Sequence, residues 1–528
     1  MAIKIGSRIH ICKIAGTNAG TGSPDKPLNA IPLDNANAEI YIRNDINHPF
    51  QPISKSALKK ELKWSKIYFS KLSRAQQQEA QSSLVQENQD SKLKPNAKLD
   101  ISKYEHLPFV RIDEAINYVD KQVKIAGWVH RQRVQGKKMK FLVIRDGYGF
   151  LQCVVGSDLC AIVDMQELTV ESSINLFGTV KKVPEGKQSS NGIELIVEAF
   201  EIISKAPGGD EAFGNILNAE ASPSIQLDNR HMVLRGETAS SCIRFRSLTL
   251  KAFRDYFDSK NLCEVSPPLL VETQAEGGSN VFAVDYYGNP AYLTQSSQLY
   301  LETALPSVGD NYCITESFRA EHSVTRRHLS QFTHVEAELG FITFDQLLGF
   351  IEDMPPQKPF LRMEYTDAIQ WLQRNNIERD VYVNDVKVGQ EPYKFGDDIV
   401  ESAERTMTDT IGQPILLTRF PVELKAFYMK KCPLNPALTE SVDVLMPGVG
   451  EITGASMRIS DYAELIKAYE REHIDPSPYY WFTDQRKYGS VEHGGFGLGI
   501  ERYLAWILNR HTVREVCLYP RFTGRCSP

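Results

Sequence analysis

No C-x-x-C pair occurs among the nine cysteines of this 528-residue chain. That removes a cysteine-cluster zinc site and leaves scattered thiols suited to a reducing compartment. Long apolar runs are absent, and the N-terminus MAIKIGSRIHICKIAG has no small-residue cleavage pattern. Secretion and membrane spanning are therefore not expected, and the cytoplasm is. Positive charge is in short supply, with 60 Lys and Arg against 66 Asp and Glu for a net charge of −6. A uniformly basic nucleic-acid binder is excluded, so any polyanion site must be a local patch. Both standard phosphate loops are missing as well. G-x-x-x-x-G-K-[ST] does not occur, and GGFGLG (494–499) does not spell G-x-G-x-x-G. This excludes P-loop and Rossmann sites without excluding a nucleotide held in some other way. No internal repeat is present.

The 42% hydrophobic and 24% charged residues make an ordinary globular mixture, long enough for two or three domains. Residues 1–50 alternate short β-like runs (IHICKIAG, AEIYIR) with Gly, Asn and Pro turns, the pattern of a small α+β module. A helix is expected from about Ser54, and residues 51–75 carry seven Lys and Arg against the single Glu61. Residues 76–104 open on a Gln-, Ser- and Lys-rich run with little to bury and read as a linker. From Gln122 onward, VKIAGWVHR, KFLVIRD, GFLQCVVG, SINLFGTVKKV and IELIVEAFEII are short and β-rich. Five such runs suit a small closed barrel of the OB type. Its first turn region, RQRVQGKKMK (131–140), holds five Lys and Arg with no acid, and Phe141 follows directly. Cations beside an exposed ring hold single-stranded nucleic acid, yet a solvated turn with Phe141 in the core fits the pattern equally. Residues 207–235 are rich in Pro, Gly and Asn and read as a hinge before a large α/β-type region.

Three segments of that region carry chemistry. In RAEHSVTRRHLSQFTHVEAE (319–338), Arg319 and Glu321 alternate as on a strand. The loop then supplies positive charge from Arg326, Arg327 and His328, and Phe332, His334, Glu336 and Glu338 share one face of the returning strand. Such a hairpin can hold phosphate, a flat ring and an amine together; a solvated mixed-charge hairpin is the duller alternative. In ESVDVLMPGVGEITGASMRI (440–459), Asp443 and Glu451 bracket a turn that could bring two carboxylates together for a hard cation, with Arg458 beyond them. GGFGLGIERYLAWIL reads as a strand of little bulk entering a helix. Gly497 and Gly499 leave room for a flat ligand, and Arg502 sits in the first helical turn.

FRAE (318–321), TRRHLSQFTHVEAE (325–338) and GFGLGIER (495–502) resemble motifs 2 and 3 of the class II aminoacyl-tRNA synthetases. DYFDSKNLCEVSPPLL (255–270), with Pro268, resembles motif 1, which in that family forms the dimer interface. The barrel ahead of the large domain is similar to that of the aspartate, asparagine and lysine subgroup. The tail from Arg486 and TGSPDKP (21–27) look like the asparagine branch of the eukaryotic cytoplasm. The aspartate branch reads Q-S-P-Q-L-Y-K, whereas QSSQLYLE (295–302) has Leu301 in place of the Lys that meets a substrate carboxylate. The loss of a cation favours a neutral carboxamide.

The resemblance implies an α+β protein: a class II antiparallel-sheet catalytic domain (236–528), preceded by an OB-fold barrel (105–206), a hinge (207–235), a linker (76–104) and an appended N-terminal module (1–75). It implies a ligase using ATP and Mg²⁺ to activate L-asparagine and charge tRNA(Asn), acting as a homodimer. For ATP it implies Arg319 on the α-phosphate and the amino-acid carboxylate, Phe332 beneath the adenine and Arg502 above it. Arg327 and His328 would meet the outer phosphates, and Glu321, Leu329, Gly499, Ile500 and Glu501 complete that site. Asp443 and Glu451 would hold Mg²⁺. Glu276 would take the substrate amino group and Arg458 its side-chain carbonyl, with Gln298, Leu301 and Gly454 around them. In the barrel, Phe141 and Gln152, flanked by Arg131 and Arg133, would meet the anticodon. The family pattern departs after FITFDQLLGFIEDM (341–354), where PPQKPF breaks a helix that the family continues. Two rivals fit less well. A synthetase-like asparagine synthetase would lack the barrel, and a silent RNA-binding paralogue would be expected to lose Arg319, Glu451 or Arg502.

Overall fold

A computed structural model describes residues 8–12, 39–43, 50–54, 58, 62, 65 and 99–527, apart from 137–138, 185, 187–188, 190, 219, 276–280, 323–324, 354–358 and 384–385. Glu276, most of the expected linker, most of the Lys-rich stretch and the start of PPQKPF therefore lie outside the described residues. The chain divides into two compact units, Met1–Asn218 and Ala219–Pro528.

In the first unit, β1 (Arg8–Cys12), β2 (Glu39–Arg43) and β3 (Gln51–Pro52) form a small sheet. Ile11 and Ile40 are buried against Ile53, Leu58 and Leu62. Leu58, Leu62 and Ser65 are helical, as expected, and their spacing puts them on one face. The barrel is closed by β4 (Gln122–Gln135), β5 (Met139–Arg145), β6 (Phe150–Val155), β7 (Ser173–Lys182) and β8 (Ile193–Ser204), in the order β4-β5-β6-β8-β7. Strict alternation builds it: in β6, Leu151, Cys153 and Val155 point into the core while Phe150, Gln152 and Val154 face outward. The basic turn region differs from expectation. Residues 131–135 and 139–140 belong to the paired strands, and of the described residues between them Gly136 is a turn. Lys140 is not on the basic surface; it is buried and donates to the Met165 carbonyl at 2.6 Å.

In the second unit, the long helix Glu237–Ser259 precedes β9 (Cys263–Glu264). A small sheet of β10 (Leu270–Val271), β11 (Ala283–Tyr286) and β12 (Asn289–Leu293) follows. The helix Gln298–Val308 leads to β13 (Asn311–Phe318) and β14 (Gln331–Gly340). Next come the capped helix Phe344–Glu352, β15 (Leu361–Glu364), a hairpin of β16 (Glu378–Val383) and β17 (Val386–Pro392), and the helix Glu401–Ile411. β18 (Ile415–Thr418), the short pair β19 (Lys431–Cys432) and β20 (Asn435–Thr439), β21 (Ser441–Met446), β22 (Gly450–Met457) and β23 (His493–Gly499) complete the strands. Eight of them make one sheet, β15-β18-β21-β22-β23-β14-β13-β9, antiparallel except at its two edges. Its buried face packs Val335, Ala337, Leu339, Val444, Ile452, Phe496 and Leu498 on Phe257, Leu347 and Leu504. The stretch read as a hinge is made of short helical pieces, and buried Arg230 within it donates to the carbonyls of Glu515, Cys517 and Leu518.

Candidate active site

The open face of the eight-stranded sheet carries one pocket that collects almost every residue singled out in the catalytic region. Arg319, Glu321, Arg327, His328, Leu329, Phe332, Gln298, Leu301, Asp443, Glu451, Gly454, Arg458, Gly499, Glu501 and Arg502 all line it. Glu276 lies outside the described residues, and Ile500 is wholly buried in the core behind the wall.

The hairpin β13–β14 forms the floor. β13 ends at Phe318, so Arg319 and Glu321 do not sit on the strand as alternation proposed; the Arg319 N–H closes the hairpin on the Ser330 carbonyl at 3.0 Å. The strand stops there, yet the Arg319 guanidinium still lies 5.4 Å from the centroid of the Phe332 ring. His334 packs edge-on to Phe332, 5.3 Å between centroids. Its imidazole takes the space beside Gly497, where a Cβ would stand 2.5 Å from Nε2. Gly497, which also lines the pocket, therefore makes room for His334. Gly499 is different, since only the Phe332 ring edge, at 4.0 Å, comes near its missing Cβ.

His328 does not add a charge. Burial, with Arg502 and Arg327 alongside, lowers its pKa to about 4, so it is neutral at pH 7. It hydrogen-bonds Thr325 at 2.5 Å and approaches Glu321 at 3.7 Å. The Arg327 guanidinium reaches the Glu404 carboxyl through two long contacts of 3.4 Å. Burial and the facing carboxylates of Glu451 and Asp443 push Glu404 up to about 8 against the pull of Arg327. Glu501 accepts from Arg246 at 2.6 Å and from the Thr333 N–H at 3.1 Å, tying the long helix to the strand that carries Phe332.

Asp443 and Glu451 come together through a β-bulge that shifts the β21–β22 register between Val444 and Leu445. A Cβ on Gly454 would stand 3.8 Å from Asp443 Oδ1 and 3.7 Å from Glu451 Oε1, so both oxygens converge on the bare glycine. Two hard oxygens turned to one open spot fit a divalent cation. Glu451 also accepts from Arg502 at 3.1 Å. The depth of the pocket pushes its pKa up, but Arg502, Arg327, Lys425 and Arg319 outweigh this and bring it to about 2. Sequence reasoning missed Lys425, which donates to Asp443 Oδ2 at 2.6 Å while its ammonium lies 3.7 Å from the Phe420 ring centre.

The far end of the pocket is an ordered ion cluster. Arg458 donates to both Glu338 oxygens at 3.0 and 3.1 Å and to Ser456 Oγ at 2.7 Å. Behind it, Glu302 accepts from Gln298 at 2.9 Å and Arg486 at 2.5 Å, and His493 Nε2 lies 3.1 Å from it. Burial acts to raise the Glu302 pKa, but Arg486, His493 and Arg458 bring it down to about 2. Leu301 is fully buried in the same wall. Glu302, Glu338 and His493 have the spacing of a metal triad. Two guanidiniums already balance the two carboxylates, so the triad is an ion network. On the barrel, Arg131 pairs with Val143, which pairs with Gln152, and Arg133 pairs with Phe141, which pairs with Val154, so Arg131, Arg133, Phe141 and Gln152 lie on one outer face. Phe141 is not in the core; it is half-buried with the Arg133 guanidinium 5.0 Å from its ring centroid.

The family model described as tRNA synthetases class II (D, K and N) matches residues 222–523, and the OB-fold nucleic acid binding domain matches residues 123–203. The chain is 48% identical to the cytoplasmic asparagine–tRNA ligase of Mus musculus, over 91% of this chain and 89% of that protein. It is 47% identical to the cytoplasmic enzyme of Saccharomyces cerevisiae, over 94% and 93%. Among solved structures, Entamoeba histolytica asparaginyl-tRNA synthetase in complex with asparaginyl-adenylate superposes with a TM-score of 0.74 at 40% identity, covering 80% of this chain and all (100%) of that one.

Proposed function

The chain belongs to the class II tRNA synthetases of the D, K and N group, and from that premise we propose that it is an asparagine–tRNA ligase. It activates L-asparagine with ATP to asparaginyl-adenylate and pyrophosphate, then passes the asparaginyl group to the 3′ end of tRNA(Asn) with release of AMP. Its place is the cytoplasm, with the relatives named for it. The observation that carries the amino-acid assignment is the Arg458–Glu338 pair beside Leu301. The charge of Arg458 is already balanced, so it offers hydrogen-bond donors without an uncompensated cation, and Leu301 adds none. A carboxamide oxygen is served by that wall; a carboxylate finds no counter-charge.

In the first step the asparagine carboxylate attacks the α-phosphorus in line and pyrophosphate leaves. In the second, the terminal ribose hydroxyl attacks the activated carbonyl and AMP leaves. No covalent bond to the protein forms, so catalysis is positioning and electrostatic stabilisation. We assign the adenine to the space between Phe332 and Arg502, the α-phosphate and substrate carboxylate to Arg319, and the outer phosphates to Arg327 and neutral His328. The Arg319–Phe332 contact and the open side of Gly499 support this. Asp443 and Glu451 would hold Mg²⁺, which when bound neutralises and orients the phosphates. On the barrel we assign anticodon contact to Arg131, Arg133, Phe141 and Gln152. A homodimer through motif 1 agrees with exposed Leu269 and Leu270 beside Pro268. We divide the chain at residues 76, 105, 207 and 236, as its composition shifts direct.

Arg319→Ala tests the site. It should abolish asparagine-dependent ATP–pyrophosphate exchange while tRNA binding survives; full exchange in that variant would sink the assignment.

A further inference from the structure

Gln298 lines the pocket, is itself buried, and opens the helix Gln298–Val308 one turn before Glu302. An amide can turn either end toward a neighbour, so what fixes it decides what it shows a ligand. Glu302 fixes it here. That carboxylate is wholly buried, and the Arg486 guanidinium donates to it, the ion-pair setting in which a carboxylate stays ionised and acceptor-only. Only the NH₂ end of Gln298 can face it, and Nε2 does so at 2.9 Å. The carbonyl Oε1 is left as the end free for the pocket, and among the described residues no hydrogen bond reaches it. Arg458 is the complementary half. Three of its N–H groups go to Glu338 and Ser456, and a guanidinium has five, so two remain.

We propose that Glu302 determines the choice of a carboxamide over a carboxylate by locking the Gln298 amide with its carbonyl oxygen toward the substrate side chain. The inference rests on the asparagine reading and on Arg458 meeting the side-chain carbonyl. An acceptor from Gln298 and a donor from Arg458 match the NH₂ and C=O of a carboxamide. A carboxylate has no N–H to give and would set its lone pairs against Oε1, leaving two oxygens facing each other unpaired. Glu302 touches no substrate atom; it is a positioning residue acting through Gln298.

The test compares kcat/KM for L-asparagine and L-aspartate in ATP–pyrophosphate exchange, using the full chain. In Glu302→Gln the amide of Gln298 is no longer locked, and the Asn-over-Asp ratio should fall at least about tenfold, the worth of one misplaced hydrogen bond in a buried site. The KM for ATP should hold. Glu302→Asp, which keeps the carboxylate, should recover part of the ratio. Because Glu302→Gln also disturbs Arg486 and could fail to fold, Gln298→Met provides a second route. It removes the acceptor, leaves the Glu302–Arg486 and Glu338–Arg458 ion pairs in place, and should lower the ratio to a similar extent. An equal loss with both amino acids, or an unmoved ratio in Gln298→Met, would overturn the proposal while leaving the asparagine reading in place. Failure of the unaltered protein to exchange with asparagine would overturn both.

Discussion

Glu338→Gln probes the pair on which the amino-acid end of the pocket is built. Both partners are buried, and the guanidinium spans the two carboxylate oxygens at 3.0 and 3.1 Å. A glutamine accepts on one atom only and turns its NH₂ toward a guanidinium N–H, so the bidentate contact is lost and buried Arg458 is left with only the more distant Glu302 carboxylate, 3.9 Å from its Nε. Breaking a buried pair from one side costs about 3–5 kcal/mol. For a domain of this size that is a fall in melting temperature on the order of 10 °C. Arg458 would also lose its orientation, so the KM for asparagine should rise about tenfold or more while the KM for ATP changes little. Calorimetry of the full chain and exchange kinetics with each substrate varied in turn measure both effects. A variant that melts within 2 °C of the parent, about 1 kcal/mol by the same scaling, with an unchanged asparagine KM would refute the claim that Glu338 holds Arg458.

Four further outcomes are expected. Gly495→Ala would put a Cβ 2.1 Å from Glu338 Oε2 and 2.2 Å from the Ala337 carbonyl, so it should destabilise by about 1–3 kcal/mol and raise the asparagine KM. Gly349→Ala, inside the helix Phe344–Glu352 with nothing within 4 Å, should instead stabilise by about 0.5–1 kcal/mol; denaturant titration reads both. His328, held at about 4 against 6.5, is a histidine whose folded pKa is depressed. The stability it contributes is complete above pH 6.5 and is lost as pH falls through 4, up to about 3 kcal/mol; its imidazole proton shifts should titrate near 4 and move upward when ATP is added. Phe141→Ala should weaken tRNA binding by about 1–3 kcal/mol and leave asparagine-dependent exchange untouched; lost exchange would mean the barrel face is structural.

The parts of the site legible in the sequence are those that local periodicity determines. Two-residue alternation puts Phe332, His334, Glu336 and Glu338 on one face of β14, and the low bulk of GGFGLG marks the strand lying against it. The barrel follows from the same alternation, and so does the shared face of Arg131, Arg133, Phe141 and Gln152. What was not legible depends on partners distant in the chain. Lys425 meets Asp443, Glu404 meets Arg327, and Arg486 and His493 meet Glu302 only after the sheet and its flanking helices assemble. The same holds for charge: His328 looks cationic beside Arg326 and Arg327 but is neutral because burial and the charges of Arg502 and Arg327 disfavour its protonation. Lys140 looks like part of a basic loop but lies at an inward position of β5. The β21–β22 bulge, which turns Glu451 toward Asp443, leaves no local signal beyond the turn itself.

The central claim is that this chain charges tRNA(Asn) with asparagine. The most direct measurement is aminoacylation by the full chain, with labelled asparagine and aspartate offered separately to tRNA(Asn) transcript. Labelled asparagine should become esterified to the tRNA in an ATP-dependent reaction, with aspartate transferred at a small fraction of that rate. Equal or preferential transfer of aspartate, or no transfer of either, would contradict it.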